Sequence, residues 1–347
     1  MTDVLLVSLG TTRGLRLSDA QLVTMLRQAG VSVEAVATRI GFTNALRRGY
    51  PVNDLVEAVA ARRALAAGLR RYRPRSLVVS TTTAAFLIGD PGVPFAVWLD
   101  SPARLNRPGP LNVPLHWLER RQLARARVLL PHSPETIEAL PSGAAPSVVV
   151  PPPILAAPPP RSDREAFAVG YTPDPKAKGL ALLCAAWERT EPAGGRLLIA
   201  GIPPDRARAF LDRRGVGLPA GAELVGMLPQ AEFRDLLARA RVYVSAAAWE
   251  DFGIAPLEAL DRGAALVCAP AGGPFPALGL ARALAPEFVA VDRSPGSLAR
   301  AIDAAFAAPD DRMTRYRVRA RAELEPYRPE ASVARLRDEV LPLLLGA

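Results

Sequence analysis

Short runs of β-type apolar residues alternate with helical patterns along this chain, and no other feature constrains its fold as strongly. In the first half the runs are Val4–Leu9, Val31–Ala37, Ser76–Ser80, Pro94–Leu99, Val128–Pro131 and Val148–Val150. Helical patterns fit between them, for example Ser18–Ala29, Asn53–Tyr72 and Pro114–Ala126. A strand with one wet face alternates apolar and polar residues. These runs are mostly apolar without that alternation, which predicts a parallel sheet covered by helices on both faces. The second half repeats the style, with strands expected at Ala166–Tyr171, Arg196–Ala200, Glu223–Val225, Val242–Ser245 and Ala264–Cys268. Helices are expected there at Gly179–Glu188, Asp205–Arg213, Gln230–Ala238, Pro256–Arg262 and Pro295–Ala307. The fold class is therefore α/β, with two Rossmann-like, doubly wound domains.

Between the halves, Pro141–Arg161 collects eight prolines. Such a stretch cannot enter a sheet interior and acts as a stiff connector. The expected domains are 1–155 and 156–325, followed by a terminal segment, 326–347. The tail Asp310–Leu345 is helical with a break near Pro326 and Pro329, and its last helix is expected to return to the first domain. Two doubly wound units joined in this way leave a cleft between their strand carboxyl ends, where such sheets bind ligands.

Half of the 347 residues are hydrophobic, enough for two large cores. Apolar stretches such as Val4–Leu9 and Ala264–Cys268 fall far short of the ~18 residues that span a bilayer. Met1-Thr2-Asp3-Val4 has neither the basic segment nor the apolar run of a signal peptide. The two cysteines, Cys184 and Cys268, are too few and too isolated for a disulfide framework or a zinc site. Together these features lead us to expect a cytoplasmic protein. The net charge of +9 is uneven. Residues 1–155 carry 18 arginines against 10 acids, whereas the remainder carries 25 basic residues against 24 acids. A basic first half suggests an anionic partner, namely a phosphorylated substrate, an acidic lipid surface met peripherally, or nucleic acid; the other reading is a basic composition with no partner. Aromatic residues are scarce and no nucleic-acid motif interleaves with the arginines, so nucleic acid is set aside.

Two segments carry the chemistry. Of the 43 basic residues only Lys176 and Lys178 are lysines, in Asp174-Pro175-Lys176-Ala177-Lys178-Gly179. A lysine is a compact, mobile point charge suited to a phosphate; the other reading is a pair of surface lysines in a polar loop. The second segment runs from Ser245 to Leu260 and holds Glu250 and Glu258, eight positions apart. Pro256 suits an early helical position, and Gly253 lets a ligand approach the backbone closely. N–H groups near Gly253, Ile254 and Ala255 would then face outward at a helix start, a seat for phosphate. Glu258 beside them could accept hydrogen bonds from two vicinal hydroxyls, as on a ribose, with Glu250 farther along the same ligand. Alternatively Glu258 complements the helix dipole and Glu250 is a solvated loop acid.

The spacing and surroundings of these glutamates resemble the E-x7-E signature of the family 4 glycosyltransferases, which have the GT-B fold. Asp174–Gly179 looks like the family's lysine-glycine segment. Glu223–Gly226, Phe233–Ala240 and Val242–Ser245 look like its approach to the motif. Gly263–Cys268 and Gly272-Gly273-Pro274 look like its next buried strand and glycine pair. The resemblance is stronger in the second domain than in the first. It implies a retaining transfer of a sugar from a nucleoside-diphosphate sugar, held by the second domain, to an acceptor held by the first. It implies no other cofactor and no metal, and no Asp-x-Asp arrangement is placed to hold one. By this resemblance Glu258 matches the ribose-binding glutamate and Glu250 the one near the donor sugar. Lys178 matches the lysine that neutralises the diphosphate, with Lys176 as the alternate. Gly253, Ile254, Ala255 and Met227, directly after Gly226, complete the donor side.

Three positions depart from the family pattern. Tyr171 follows Gly170 where the family usually has an arginine, so one phosphate-binding cation is missing or is supplied by Lys176, Lys178 or Arg13. No acid follows Gly272-Gly273. Asp100 ends Val97-Trp98-Leu99 where a histidine is common; it either serves a sugar hydroxyl or acceptor, or caps the turn before Pro102. Gly10-Thr11-Thr12-Arg13-Gly14 resembles the family's flexible loop that meets donor phosphates, and is otherwise a plain strand-to-helix turn. His132 and His116 are the weak acceptor-side candidates. Trp249 either walls the sugar site or is a buried aromatic. Two other functions stay open: a sugar-nucleotide epimerase on the same fold, and an inactive binding scaffold, which Tyr171 would favour.

Overall fold

The computed structural model describes residues 2–11, 13–38, 51–158, 164–190 and 195–346. The chain divides into two compact units, Met1–Pro153 with Tyr327–Ala347, and Ile154–Pro326. The end of the proline-rich stretch, residues 159–161, lies outside the described residues.

The first unit holds a five-stranded sheet in the order β2-β1-β3-β4-β5, with every pair parallel. The strands are β1 (Val4–Ser8), β2 (Val33–Ala37), β3 (Ser76–Ser80), β4 (Phe95–Leu99) and β5 (Val128–Pro131). Side chains alternate across a strand, so successive residues of β1 enter different cores. Val4 and Leu6 pack with Leu22, Met25 and Leu26 of the helix Arg13–Gln28. Leu5 and Val7 pack with Ala61 and Leu65 of the helix Val52–Tyr72. Both faces are dry, which is why the strand reads as an unbroken apolar run. The helix Pro329–Arg335 continues through a π-turn, Leu336–Val340, into Leu341–Leu345. It inserts Leu336, Val340, Leu341 and Leu344 into the first of these cores.

Two expectations for this unit need correction. Val148–Val150 is not a sixth strand. Ser147 forms a single parallel bridge with Leu129, and the N–H groups of Val148 and Val150 donate to the Leu129 and Pro131 carbonyls at 2.9 Å. Pro146 and Pro151–Pro153 have no N–H with which to extend the ladder. The first helix begins at Arg13, not Ser18, so Arg13 and Gly14 belong to the helix. Ser18, where the helical pattern was expected to begin, and Asp19 are both buried within it, and Asp19 accepts a hydrogen bond from Ser8 Oγ at the end of β1.

The second unit repeats the architecture, in the order β10-β9-β6-β7-β8, again all parallel. Its strands are β6 (Glu165–Tyr171), β7 (Arg196–Ala200), β8 (Ala222–Gly226), β9 (Ala240–Ser245) and β10 (Ala265–Cys268). Strand order reverses where β6 lies between β9 and β7, which opens a crevice at the carboxyl ends of β6 and β9. Both sequence-nominated segments leave the sheet there: the lysine loop follows β6 and the glutamate loop follows β9. The helix Pro276–Leu284 was not anticipated from the sequence. Cys184 and Cys268 are buried free thiols.

One buried acid in the first unit makes its stability pH-dependent. Glu119, in the helix Val113–Arg125, is 3% exposed and accepts the Ala103 N–H at 2.7 Å. Burial raises its carboxyl to about 7, against the opposing effects of that bond and of Thr82. A carboxyl that holds its proton more tightly when folded stabilises the fold below its unfolded pKa. That contribution is lost as pH rises through the folded pKa. The window here runs from about 4.5 to about 7, and the contribution is at most about 3 kcal/mol. Glu119→Gln keeps an acceptor for Ala103 and removes the titration. Urea denaturation at pH 4.5, 6 and 8 should show the variant gaining on the wild type across the series; a constant difference would contradict the assignment.

Candidate active site

The lysine loop is folded by Asp174. Its Oδ1 accepts the N–H groups of Lys176 and Ala177 at 2.9 Å each, and its carbonyl accepts the Lys178 N–H at 2.9 Å. The loop then enters the helix Leu180–Trp187 through Gly179, at φ +70°. A Cβ at Gly179 would overlap the Ala246 carbonyl oxygen of the loop after β9. The Ala248 N–H donates to the Ala177 carbonyl at 2.8 Å. The two loops are thus bonded backbone to backbone, which brings Lys178 to Glu250.

The Lys178 ammonium lies 2.7 Å from Glu250 Oε1. Burial holds the Glu250 carboxyl above its ordinary value, the Lys178 charge and hydrogen bond oppose this, and Asp251 adds a smaller upward push. Glu250 is held from behind by the glycine pair: its N–H donates to the Gly272 carbonyl, and the Gly272 N–H to the Ala248 carbonyl, both at 3.0 Å. Trp249 is half-buried and donates its Nε1–H to Asp251 Oδ1 at 2.9 Å. Lys176 is exposed.

The glutamate loop enters the helix Ile254–Asp261 through Gly253, at φ +81°. A Cβ there would come within 2.6 Å of the Phe275 ring and 3.2 Å of Glu250 Cγ. The helix starts two residues before the expected Pro256, so Ile254 and Ala255 form its first turn, where N–H groups have no intrahelical acceptor. Glu258 follows on the same helix and is 6% exposed. Its partner, Arg234 in the helix Gln230–Arg239, was not singled out from the sequence. The Arg234 Nε–H and Nη2–H both donate to Glu258 Oε1, at 3.0 and 2.8 Å. A single arginine among 41 gives no sequence signal; only the fold joins it to a glutamate 24 positions on. Tyr171 ends β6 with its ring 5.0 Å from Phe233, and Met227 is exposed just beyond β8.

The first-unit candidates lie at the carboxyl end of their own sheet. Gly10, at φ +56°, follows β1, and its carbonyl accepts Arg16 Nη1–H at 2.9 Å. Thr12 and the side chain of Arg13 lie outside the described residues. Asp100 follows β4, and its Oδ1 accepts the Ser101 N–H at 2.8 Å, a turn-capping contact. His132 follows β5 and packs on Trp98 with ring centroids 4.5 Å apart; burial depresses its pKa to about 3, so it is neutral. The His116 Nε2–H donates to the Arg107 carbonyl at 2.9 Å. Sequence reading also passed over the buried Asp54, which accepts from Arg107 Nε and Nη2 at 3.0 and 3.3 Å. It passed over Thr81 as well, a non-glycine residue at φ +85° directly after β3. Among the described residues no three His, Cys, Asp or Glu side chains gather into a metal site.

Residues 160–323, nearly the whole second unit, match the family model described as glycosyl transferases group 1. No curated protein matches the sequence. Solved structures match along the whole chain. A sucrose-phosphate synthase from Thermosynechococcus elongatus is 15% identical, with a TM-score of 0.78 and 100% of each chain covered. A structure from E. coli described as trehalose-6-phosphate bound with UDP-2-fluoro glucose is 11% identical, with a TM-score of 0.71, covering 98% of this chain and 99% of that one. An alpha,alpha-trehalose-phosphate synthase (UDP-forming) from Burkholderia xenovorans, in complex with glucose-6-phosphate, is 12% identical, with a TM-score of 0.70, covering 96% and 98%. The fold is therefore that of the GT-B glycosyltransferases, an α/β fold with two parallel-sheet, Rossmann-like domains. The family match supports sugar transfer as the chemistry it carries.

If Gly179 holds the two loops together, its replacement should cost more than backbone strain alone. Gly215 also has a positive φ, +63°, with nothing near its would-be Cβ. Gly215→Ala should cost about 1 kcal/mol, the strain of a left-handed residue. Gly179→Ala should cost clearly more in urea denaturation, because the Ala246 carbonyl must move. Equal losses would mean that the loop contact is dispensable.

Proposed function

We propose that this protein is a retaining glycosyltransferase of the family 4 type, moving a sugar from a nucleoside-diphosphate sugar to an acceptor hydroxyl. The observation carrying this reading is the 2.7 Å contact between Lys178 and Glu250. It joins, across two loops at the sheet's switch point, the residues expected at the diphosphate and at the donor sugar. Glycosyl transfer expels a nucleoside diphosphate, and negative charge grows on its phosphate oxygens. In this reading the Lys178 ammonium turns from Glu250 to that charge, and the free N–H groups of Ile254 and Ala255 meet it from the helix end. Glu258 binds the nucleotide's pentose. The acceptor oxygen attacks the anomeric carbon on the face the diphosphate leaves, its proton passes to the departing phosphate oxygen, and the configuration is kept. The first unit is the acceptor side.

A thermal-shift screen against UDP, GDP and ADP and their glucose conjugates tests the donor, because a specific ligand stabilises the native state by mass action. At least one should raise the melting temperature. With that donor, Glu258→Ala should weaken binding, and Lys178→Ala should lower kcat by about 100-fold with little change in binding. Unchanged kinetics in both variants would remove the site assignment. Incubation with donor alone should leave the sugar intact; an isomerised sugar would make the protein an epimerase, and binding without turnover on any acceptor a scaffold.

The basic first unit is proposed to meet an acidic lipid surface peripherally. No helix of the described residues is long and apolar enough to cross a membrane. Leu111, Val113 and Trp117 are exposed around the start of the helix Val113–Arg125, with the Arg121 guanidinium 5.7 Å from the Trp117 ring centre. The only acid of that helix, Glu119, is buried. Apolar residues and arginines on one face suit an anionic membrane interface. Sedimentation with phosphatidylcholine vesicles containing phosphatidylglycerol should carry the protein down, less so in high salt and less so for Trp117→Ala. Equal sedimentation with pure phosphatidylcholine would count against the surface.

A further inference from the structure

Glu258 is one of the few acids in the second unit to be buried, and a buried polar group needs hydrogen-bonding partners. The side-chain partner of its carboxylate is Arg234, and the way it binds matters. Its Nε–H and Nη2–H both end on Oε1, at 3.0 and 2.8 Å. Two donors on one oxygen use up its outward lone pairs and hold the carboxylate plane in one orientation. Oε2 is left to accept from something else. A lysine in this place would supply charge without that geometry.

The neighbourhood adds a second observation. Tyr171 ends β6 where the family resemblance leads one to expect an arginine, and its ring packs on Phe233. Phe233 is the residue immediately before Arg234. The tyrosine brings no charge to the end of β6, but it packs against the helix that carries a guanidinium. The Arg234 side chain is 22% exposed and that of Glu258 8%, so the pair lies at the edge of the buried layer.

We propose that Arg234 is a positioning residue that holds Glu258 turned so that Oε2 accepts from the vicinal hydroxyls of a pentose. The proposal rests on the nucleotide-sugar reading above. Its consequence is specific: Arg234 determines how well the site distinguishes a ribonucleotide from one lacking those hydroxyls. A purely structural ion pair would not do this, because its loss would weaken every ligand of the crevice alike.

Isothermal titration of UDP, GDP and ADP, each beside its 2′,3′-dideoxy counterpart, provides the test. The proteins are the wild type, Glu258→Gln, Arg234→Lys and the near-isosteric Arg234→Met, with melting curves checking that each is folded. The wild type should bind at least one ribonucleotide diphosphate at least about tenfold more tightly than its dideoxy form, the equivalent of one good hydrogen bond. Arg234→Met and Glu258→Gln should bring that ratio close to one while leaving dideoxy binding nearly unchanged. Arg234→Lys should restore part of it. A ratio in Arg234→Met equal to the wild type's overturns the proposal, and so does an equal loss of ribo and dideoxy binding. A wild type that binds none of the six overturns the nucleotide reading and this inference with it, an outcome separable from the other two.

Discussion

The inner strands of each sheet are dry on both faces, and that constraint decides where chemistry can take place. A polar group inside either layer would need an internal partner, so functional side chains collect where strands end and loops begin. In the second unit the reversal of strand order beside β6 leaves two adjacent loops pointing the same way. Lys178 and Glu250 meet for that reason, although they are 72 residues apart in sequence. The same geometry explains the glycines at their bases. Gly179 lets one loop touch the other's backbone, and Gly253 lets the second loop turn into its helix under Phe275.

Much of the fold was legible because burial on both faces leaves a simple mark. Ser76–Ser80, Val128–Pro131 and Arg196–Ala200 read as strands to the residue, and the helix Pro295–Ala307 likewise. Elements were misread where side chains serve tertiary contacts in place of their local habit. The first helix was expected from Ser18, yet Asp19 bonds Ser8 from well inside a helix that begins at Arg13. Val148–Val150 has strand composition, but prolines on either side leave it a single bridge. In the site, the glutamate spacing and the lysine segment could be read because they are local patterns. Arg234 could not, because its meaning depends on a contact between two helices that no periodicity announces.

In the proposed function the first unit receives the acceptor, and an acceptor site is hard to read from sequence. At its sheet's carboxyl end the nominated polar groups have local partners: Asp100 caps Ser101, His116 bonds the Arg107 carbonyl, and His132 is held neutral against Trp98. An ion pair in the same unit, Asp54 with Arg107, joins a helix to a loop 53 residues on. These contacts shape the loops without showing which hydroxyl they would receive. Specificity of that kind lies in surface shape, which leaves no motif.

The lysine scarcity gains a physical sense from what the arginines do. Arg293 donates to the carbonyls of Ala246, Ala247 and Pro270, fastening the loop after β9 to the one after β10. Arg164 reaches the Leu237, Ala240 and Arg262 carbonyls, and Arg321 those of Ala157, Pro158 and Asp261. A planar fork with five donors can bind several carbonyls at once, and an ammonium cannot do so as rigidly. Arginine is thus a structural residue in this chain, filling the same role as turns and caps elsewhere. At Glu250 the proposed function asks for the opposite: a charge compact enough to sit 2.7 Å from one carboxylate and mobile enough to leave it for a ligand. A guanidinium forked onto Glu250 would be held by two bonds in place of one, as Arg234 is on Glu258. The two glutamates of the motif therefore differ in the cation each holds. Glu258 is held by two bonds from a guanidinium, and Glu250 by an ammonium at a single oxygen.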